Sequence, residues 1–221
     1  MNFIFVHANP DWYVMHKPQG CSVQDDRDGI GFLNALKQFM QEPELSLVHR
    51  LDKVTSGLLL IGRNKKTTSI LSQQFEHRTV RKFYLALAAG KPSKKQGTII
   101  GDMAKARRGA WKLERSVKNP AKTQFFSVSH SAGLRWYLLR PITGKTHQLR
   151  VALKSIGCPI LGDELYGAKA QARTYLHAYG LEFDWQGERQ RFLLPPSEEG
   201  EFRQSVPVEY GNPWEMHWPK S

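Results

Sequence analysis

The chain is short of acid, of cysteine and of long apolar runs, and each shortage excludes something. Its 221 residues hold 20 Asp and Glu against 32 Lys and Arg, a net charge of +12. A surface this basic concentrates polyanions around itself and speeds encounter with them, so nucleic acid is the leading class of partner. A membrane surface ranks lower, because no basic amphipathic helix is legible. Cys21 and Cys158, the only cysteines, suggest no disulfide framework, and without a Cys-x-x-Cys pair they suggest no zinc site. Both read as small buried apolar residues. Apolar runs such as residues 58–61 are far too short to span a bilayer. Residues 1–6 lack a positively charged start and lead into His7 and Asn9, which is not the pattern of a signal peptide. The cytoplasm is therefore the expected compartment. Asp25, Asp26 and Asp28 lack calcium-loop spacing and have no second acidic cluster, so they read as loop and cap residues, with no metal expected.

What is present is an ordinary folded composition, 40% hydrophobic and 24% charged. No internal repeat and no Pro/Ser/Gly-rich linker divides the chain, so residues 1–221 are expected to form one domain. Residues 11–16 read as a strand ended by the turn Lys17-Pro18-Gln19-Gly20. Residues 30–40 have helical spacing, with Phe32, Leu33, Leu36, Phe39 and Met40 inward and Asp28 near the start. Asn64 is placed to cap a second helix running to about His77, with Ile70, Leu71 and Phe75 inward. In residues 82–89, Phe83, Leu85 and Leu87 share one strand face, and Tyr84, Ala86 and Ala88 the other. Residues 123–130 and 133–139 read as a hairpin, residues 145–156 as a short helix, and residues 174–179 and 181–185 as strands. Many strands, few helices and no βαβ alternation predict an α+β fold with a mainly antiparallel sheet and flanking helices.

The chemistry-bearing residues gather in a few segments. His49-Arg50-Leu51-Asp52-Lys53 stands directly before the apolar strand at residues 58–61. One carboxylate between cations, backed by a buried strand, has the make-up of a nucleophile or a charge stabiliser. On the helix at residues 145–156, His147, Arg150 and Lys154 lie opposite the apolar stripe formed by Leu149, Ala152, Leu153 and Ile156. The start of that helix follows Gly144, so its backbone N–H groups are expected to face an anion. Gly162 and Gly167 bracket a turn. Residues 104–122 carry Lys105, Arg107, Arg108, Lys112, Arg115, Lys118 and Lys122 around Trp111, a mixture suited to phosphate contact and base stacking. Trp214 and Trp218, among prolines, are expected to pack onto the body.

Five of these segments, in this order, resemble the RluA family of RNA pseudouridine synthases. They are the Lys-Pro-x-Gly turn at 17–20, His-Arg-Leu-Asp with Thr-Ser-Gly-Leu-Leu-Leu at 49–60, Lys-x-Tyr at 82–84, Thr-Gly-Lys-Thr-His-Gln-Leu-Arg at 143–150, and Gly-Asp-x-x-Tyr-Gly at 162–167. The resemblance runs from about Tyr13 to Phe202. It implies an isomerase that turns uridine into pseudouridine in RNA without cofactor or metal. By the same resemblance Asp52 is the nucleophile, Arg150 its ion partner, and Tyr84 the tyrosine beside the flipped base. Arg50 would hold the RNA once the base has left the stack. The small Ala86 and Ala88 on Tyr84's face suggest open space for uracil. Leu149 matches an apolar position that faces either uracil or the core, while His147 and Asp163 read as structural. Lys105, Arg107, Arg108, Trp111 and Lys112 are the expected RNA contacts of the basic segment.

Two departures stand out. Family members often carry an N-terminal S4-type RNA-binding domain, and this chain begins almost directly with the catalytic unit, so RNA selection is expected from that unit and its inserts. Val151-Ala152 also replaces the family's Val-His after the arginine. The expected substrate is a stem-loop of ribosomal or transfer RNA, bound by a monomer. The competing reading is a non-catalytic RNA-binding protein on a synthase scaffold, against which the intact Asp52, Tyr84 and Arg150 speak. A phosphotransfer enzyme ranks last, since no second carboxylate for magnesium stands near Asp52.

Overall fold

The computed structural model describes residues 1–220. In chain order it contains β1 (Ile4–Ala8), β2 (Trp12–Lys17), α1 (Phe32–Met40), β3 (Ser46–Leu47), β4 (Ser56–Gly62), α2 (Lys65–Glu76), β5 (Arg81–Ala89), β6 (Gln96–Lys105), β7 (Trp111–Glu114), β8 (Ala121–Ser131), β9 (Leu134–Pro141), α3 (Gln148–Ser155), β10 (Leu176–Trp185) and β11 (Glu188–Leu193). The fold is α+β, as the element pattern predicts. The described residues group into two compact units: residues 1–81 with 177–194, and residues 82–176 with the tail from Pro195.

In the first unit every residue of β4 is buried. A strand covered on both faces needs no polar alternation, which explains the unbroken Leu58, Leu59, Leu60 and Ile61. β4 pairs antiparallel with β2 and β3 and parallel with β10, while β1 extends β2 and β11 extends β10. The parallel contact sets Ala178 opposite Gly57, whose φ of 114° and close approach leave no room for a Cβ. Asn64 caps α2 as expected, accepting from the Thr67 N–H at 2.9 Å. The start of α1 is served by Asp25 rather than Asp28: its carboxylate accepts from the Gly31 N–H and from Asn34 Nδ2, each at 2.8 Å. Phe32, Leu36 and Leu71 are buried as read, but Phe39 and Ile70 are exposed. Cys21 is only half-buried, so the buried-thiol reading holds for Cys158 alone. Residues 174–185 do not split into two strands, since β10 runs through Gly180 without a break.

In the second unit the strand order is β5-β9-β8-β6-β7, all antiparallel. The predicted hairpin is β8–β9, paired from Thr123↔Pro141 to Ser131↔Leu134. β5 alternates as its sequence requires. Phe83 meets Trp214 and Trp218, with ring centroids 5.8 and 5.6 Å away, so the tail packs down as expected. Ala86 and Ala88 face a core of Tyr137, Leu139, Leu153 and Ile160. α3 begins at Gln148, three residues later than read, because His147 turns into the left-handed region (φ 56°).

Candidate active site

Asp52 sits half-buried in the loop that enters β4, between buried Leu51 and half-buried Lys53; Arg50 is exposed. The loop closes on itself through the Thr55 N–H, which donates to the Asp52 carbonyl at 3.0 Å. It is supported by Lys17, at the end of β2, whose side chain is fully buried. The Lys17 ammonium donates to the carbonyls of Pro18 (2.7 Å), Cys21 (2.7 Å) and Lys53 (3.3 Å). An ammonium has three N–H donors, and a buried one must satisfy them. The Gly20 N–H adds a bond to the Lys53 carbonyl at 2.8 Å, so the Lys-Pro-x-Gly turn grips the residue after Asp52 by its backbone. On the other side, Ser56 Oγ and His177 Nδ1 lie 2.8 Å apart, and His177 Nε2 meets the Leu194 carbonyl at 2.8 Å. His49 Nε2 accepts from the Leu60 N–H at 3.1 Å and its ring stacks on Phe75.

The Lys53 side chain turns outward to the acidic loop, pairing with Asp26 at 3.4 Å and with Asp28. The hydrogen bond to Asp28 is the main reason its ammonium holds its proton more tightly than usual. Asp26 in turn is held below the ordinary carboxylate range, chiefly by a hydrogen bond from Ser22. Asp25, Asp26 and Asp28 are thus occupied with loop and helix-start bonding. Among the described residues, no group of three or more His, Cys, Asp or Glu is placed to hold a metal ion.

In the second unit Tyr84 is half-buried on β5 and packs against the same core as Leu149. The open space expected beside it over Ala86 and Ala88 does not exist. Both alanines are fully buried, because α3 and β9 fill that face, and their small size serves close packing. Leu149 is 7% exposed and belongs to the core. Arg150 departs from the amphipathic reading of α3 too: it is buried rather than on an open polar face. Its Nε and Nη2 form a fork with Asp163, at 2.7 and 2.8 Å. Such a planar two-bond pair fixes a guanidinium in orientation as well as place. Asp163 therefore does more than tighten its turn: its carboxylate holds Arg150. The Tyr166 ring covers the guanidinium, with centroid 4.9 Å from Cζ. The Tyr166 hydroxyl is 2.9 Å from His147 Nδ1 and accepts from the Trp111 N–H at 3.1 Å. His147 thus reaches across to the glycine turn.

Gln148 escaped the sequence reading. It is 5% exposed, its Oε1 accepts from Thr143 Oγ1 (2.6 Å) and the Lys145 N–H (3.0 Å), and its Nε2 donates to the Lys122 carbonyl and Thr123 Oγ1 (both 3.0 Å). The Lys145 N–H expected to face an anion is thereby taken by the side chain of Gln148. The signals that mark these silent residues are a Lys directly before Pro and a Gln between two site-like positions. Both are weak until a structure gives them partners.

The basic segment is a β6–β7 hairpin turning at Arg107, Arg108 and Gly109, where Arg108 is left-handed (φ 56°). Lys105, Arg107, Arg108 and Lys112 are exposed and Trp111 is half-buried. Asp102 anchors the return, accepting from the N–H groups of Lys118 (3.0 Å) and Asn119 (2.8 Å). Hydrogen bonds from Ser116 first, then from these two amides, hold its carboxyl below the usual range. The structure therefore groups Arg50 with Asp52 in one unit, and Tyr84, Leu149, Arg150 and the hairpin in the other.

Residues 11–155 match the family model described as RNA pseudouridylate synthase, a span that includes Asp52, Tyr84 and Arg150. A Haemophilus influenzae protein named uncharacterized RNA pseudouridine synthase is 50% identical over 187 residues, covering 84% of each chain. The Rickettsia conorii ribosomal large subunit pseudouridine synthase C is 34% identical over 186 residues, 80% of this chain and 61% of that one. Among solved structures, human RNA pseudouridylate synthase domain containing 1 superposes with a TM-score of 0.74 at 27% identity, covering 88% of this chain and 84% of the other. The chain belongs to the RluA family of RNA pseudouridine synthases, isomerases that convert uridine to pseudouridine in RNA.

Proposed function

We propose that this synthase modifies a uridine in a structured stem-loop of ribosomal or transfer RNA, with Asp52 as its nucleophile and the target base flipped out of its stack. The ionised carboxylate attacks ribose C1′ or the uracil ring. The C1′–N1 bond breaks, the base turns, a C1′–C5 bond forms, the bond to Asp52 is released, C5 loses its proton and N1 gains one. Substrate and product have the same atoms, so no cofactor is consumed. In this reading Tyr84 handles a proton, Arg150 is the cationic partner that the family resemblance assigns to the nucleophile, and Arg50 fills the space the base leaves. Leu149 belongs to the core that supports Tyr84. Lys105, Arg107, Arg108, Trp111 and Lys112 contact the RNA outside the reacting nucleotide.

The observation that carries this reading is the Asp52 loop, held by a fully buried lysine inside the family match. One of the three carbonyls around this ammonium belongs to Lys53 and holds the backbone on the C-terminal side of the carboxylate, the kind of support a positioned nucleophile needs. The reading takes residues 1–221 as one catalytic domain, working as a monomer in the cytoplasm. The Rickettsia relative, named for the ribosomal large subunit, supports ribosomal RNA as one substrate class.

Chemical mapping of pseudouridine in cellular RNA, with and without the gene, tests it. One site in ribosomal or transfer RNA should vanish, and should return with the native chain but not with Asp52→Asn. Restoration by Asp52→Asn removes the nucleophile assignment; loss only in messenger RNA removes the substrate class.

A further inference from the structure

The second unit contains an open-sided cavity of about 530 Å³, and none of its lining residues is assigned a chemical step in the proposed reaction. Its apolar lining comes from Trp111 and Leu113 on β7, Val151 on α3, and Leu165 on the glycine turn, the last 39% exposed. Two exposed lysines, Lys112 and Lys154, stand among the same lining residues. No carboxylate lines it among the described residues. Gly167, at φ 84°, belongs to the lining too, and a Cβ there would lie 3.3 Å from Lys154 Nζ, so glycine keeps the space that ammonium occupies.

We infer that this cavity receives an unpaired nucleobase of the RNA, a second nucleotide distinct from the reacting uridine. The inference deepens the RNA-modifying reading and rests on it. The size lies within the usual range of ligand pockets, about 300–1,000 Å³. An aromatic and aliphatic lining with cations beside it fits a base against the ring and its phosphate on the lysines. The Lys112 ammonium is 3.2 Å from Glu114, but both are exposed, and such a pair yields readily to a phosphate. An apolar protein segment would fill the same volume. The charge decides against it: the hairpin adjoining the cavity also carries exposed Lys105, Arg107, Arg108 and Arg115. The consequence reaches the reaction, because Tyr166 lines the cavity, takes the Trp111 N–H and covers Arg150. A base seated there presses on the ring that covers this arginine.

The test measures binding of two labelled probes to the full chain by fluorescence anisotropy: a ten-nucleotide oligouridylate, and an abasic ribose-phosphate strand of equal length. The native protein should favour the oligouridylate by about tenfold. Trp111→Ala and Leu165→Gln should each erase that preference while leaving the abasic affinity unchanged, and Trp111→Phe should retain it. Lys154→Ala should weaken both probes equally. Using two variants on separate elements, each with an unchanged thermal midpoint, keeps a folding defect from mimicking the result. If both lose affinity for the two probes alike, or lose none, the cavity does not take a base and the proposal is overturned. Base preference in a protein that forms no pseudouridine would sink the catalytic reading and leave the cavity standing.

Discussion

Lys17 shows how much one buried side chain can decide. Its ammonium meets three carbonyls, one of them on the residue after Asp52. Lys17→Met keeps the volume and removes the donors, leaving carbonyls unsatisfied; the expected cost is about 3 kcal/mol in urea unfolding, with pseudouridine formation falling further than RNA affinity. The Arg150–Asp163 fork makes a similar claim. Removing one partner of a buried pair strands the other charge, so Asp163→Ala should cost about 3–5 kcal/mol. Asp163→Asn, which keeps one acceptor, should cost less. At this scale the sequence was partly legible. A carboxylate amid cations before an apolar run marks Asp52, and Arg150 stands in a recognisable pattern. The duties of Lys17, Gln148 and Asp163 were not legible, because a buried polar residue is defined by partners that the chain brings from far away.

Elements with a strong local signature were read correctly. β4 announces itself by four consecutive apolar residues, the β8–β9 hairpin by its turn, and α2 by Asn64. Replacing Asn64 by Ala should lower stability by about 1 kcal/mol, seen in the unfolding midpoint. The boundary of α3 was misjudged because helical spacing runs through residues 145–147, while the left-handed His147 and the Gln148 amide override it locally. β1, β3, β6, β7 and β11 went unread: β1 and β11 each pair with one neighbour, β3 has two residues and β7 four, and Gly97 and Gly101 interrupt β6. The two alanines after Tyr84 misled for a related reason. Small side chains leave space only when nothing packs into it, and here a helix does.

At the scale of the whole molecule, the net charge of +12 requires RNA affinity to fall steeply with salt. Replacing Arg107 and Arg108 by Ala should reduce the slope of log affinity against log salt by about 1.5 if both contact phosphate, whereas Asp52→Ala should leave it unchanged. The folded state also ties up tyrosines. Tyr13 is pushed up to about 12, first by burial and then by its hydrogen bond to Glu42. Tyr137, Tyr179 and Tyr210 are raised as well, burial being the main cause. Groups that hold protons more tightly when folded lend their stability fully below the ordinary tyrosine value of about 10 and lose it as pH rises towards the folded value. The unfolding midpoint should therefore fall above about pH 10, and Tyr13→Phe should soften that fall.

Glu42 acts on the acid side. Burial raises its pKa, but hydrogen bonds from Arg63 and Tyr13 outweigh this and hold it below the ordinary value, so its contribution is lost as pH falls through that lowered value. The most direct test of the account is single-turnover conversion of the mapped RNA by the native chain and by Asp52→Asn, with RNA affinity measured alongside. The account predicts a rate lower by at least about 10⁴-fold at nearly unchanged affinity. An Asp52→Asn protein that still isomerises its uridine at a comparable rate would contradict it.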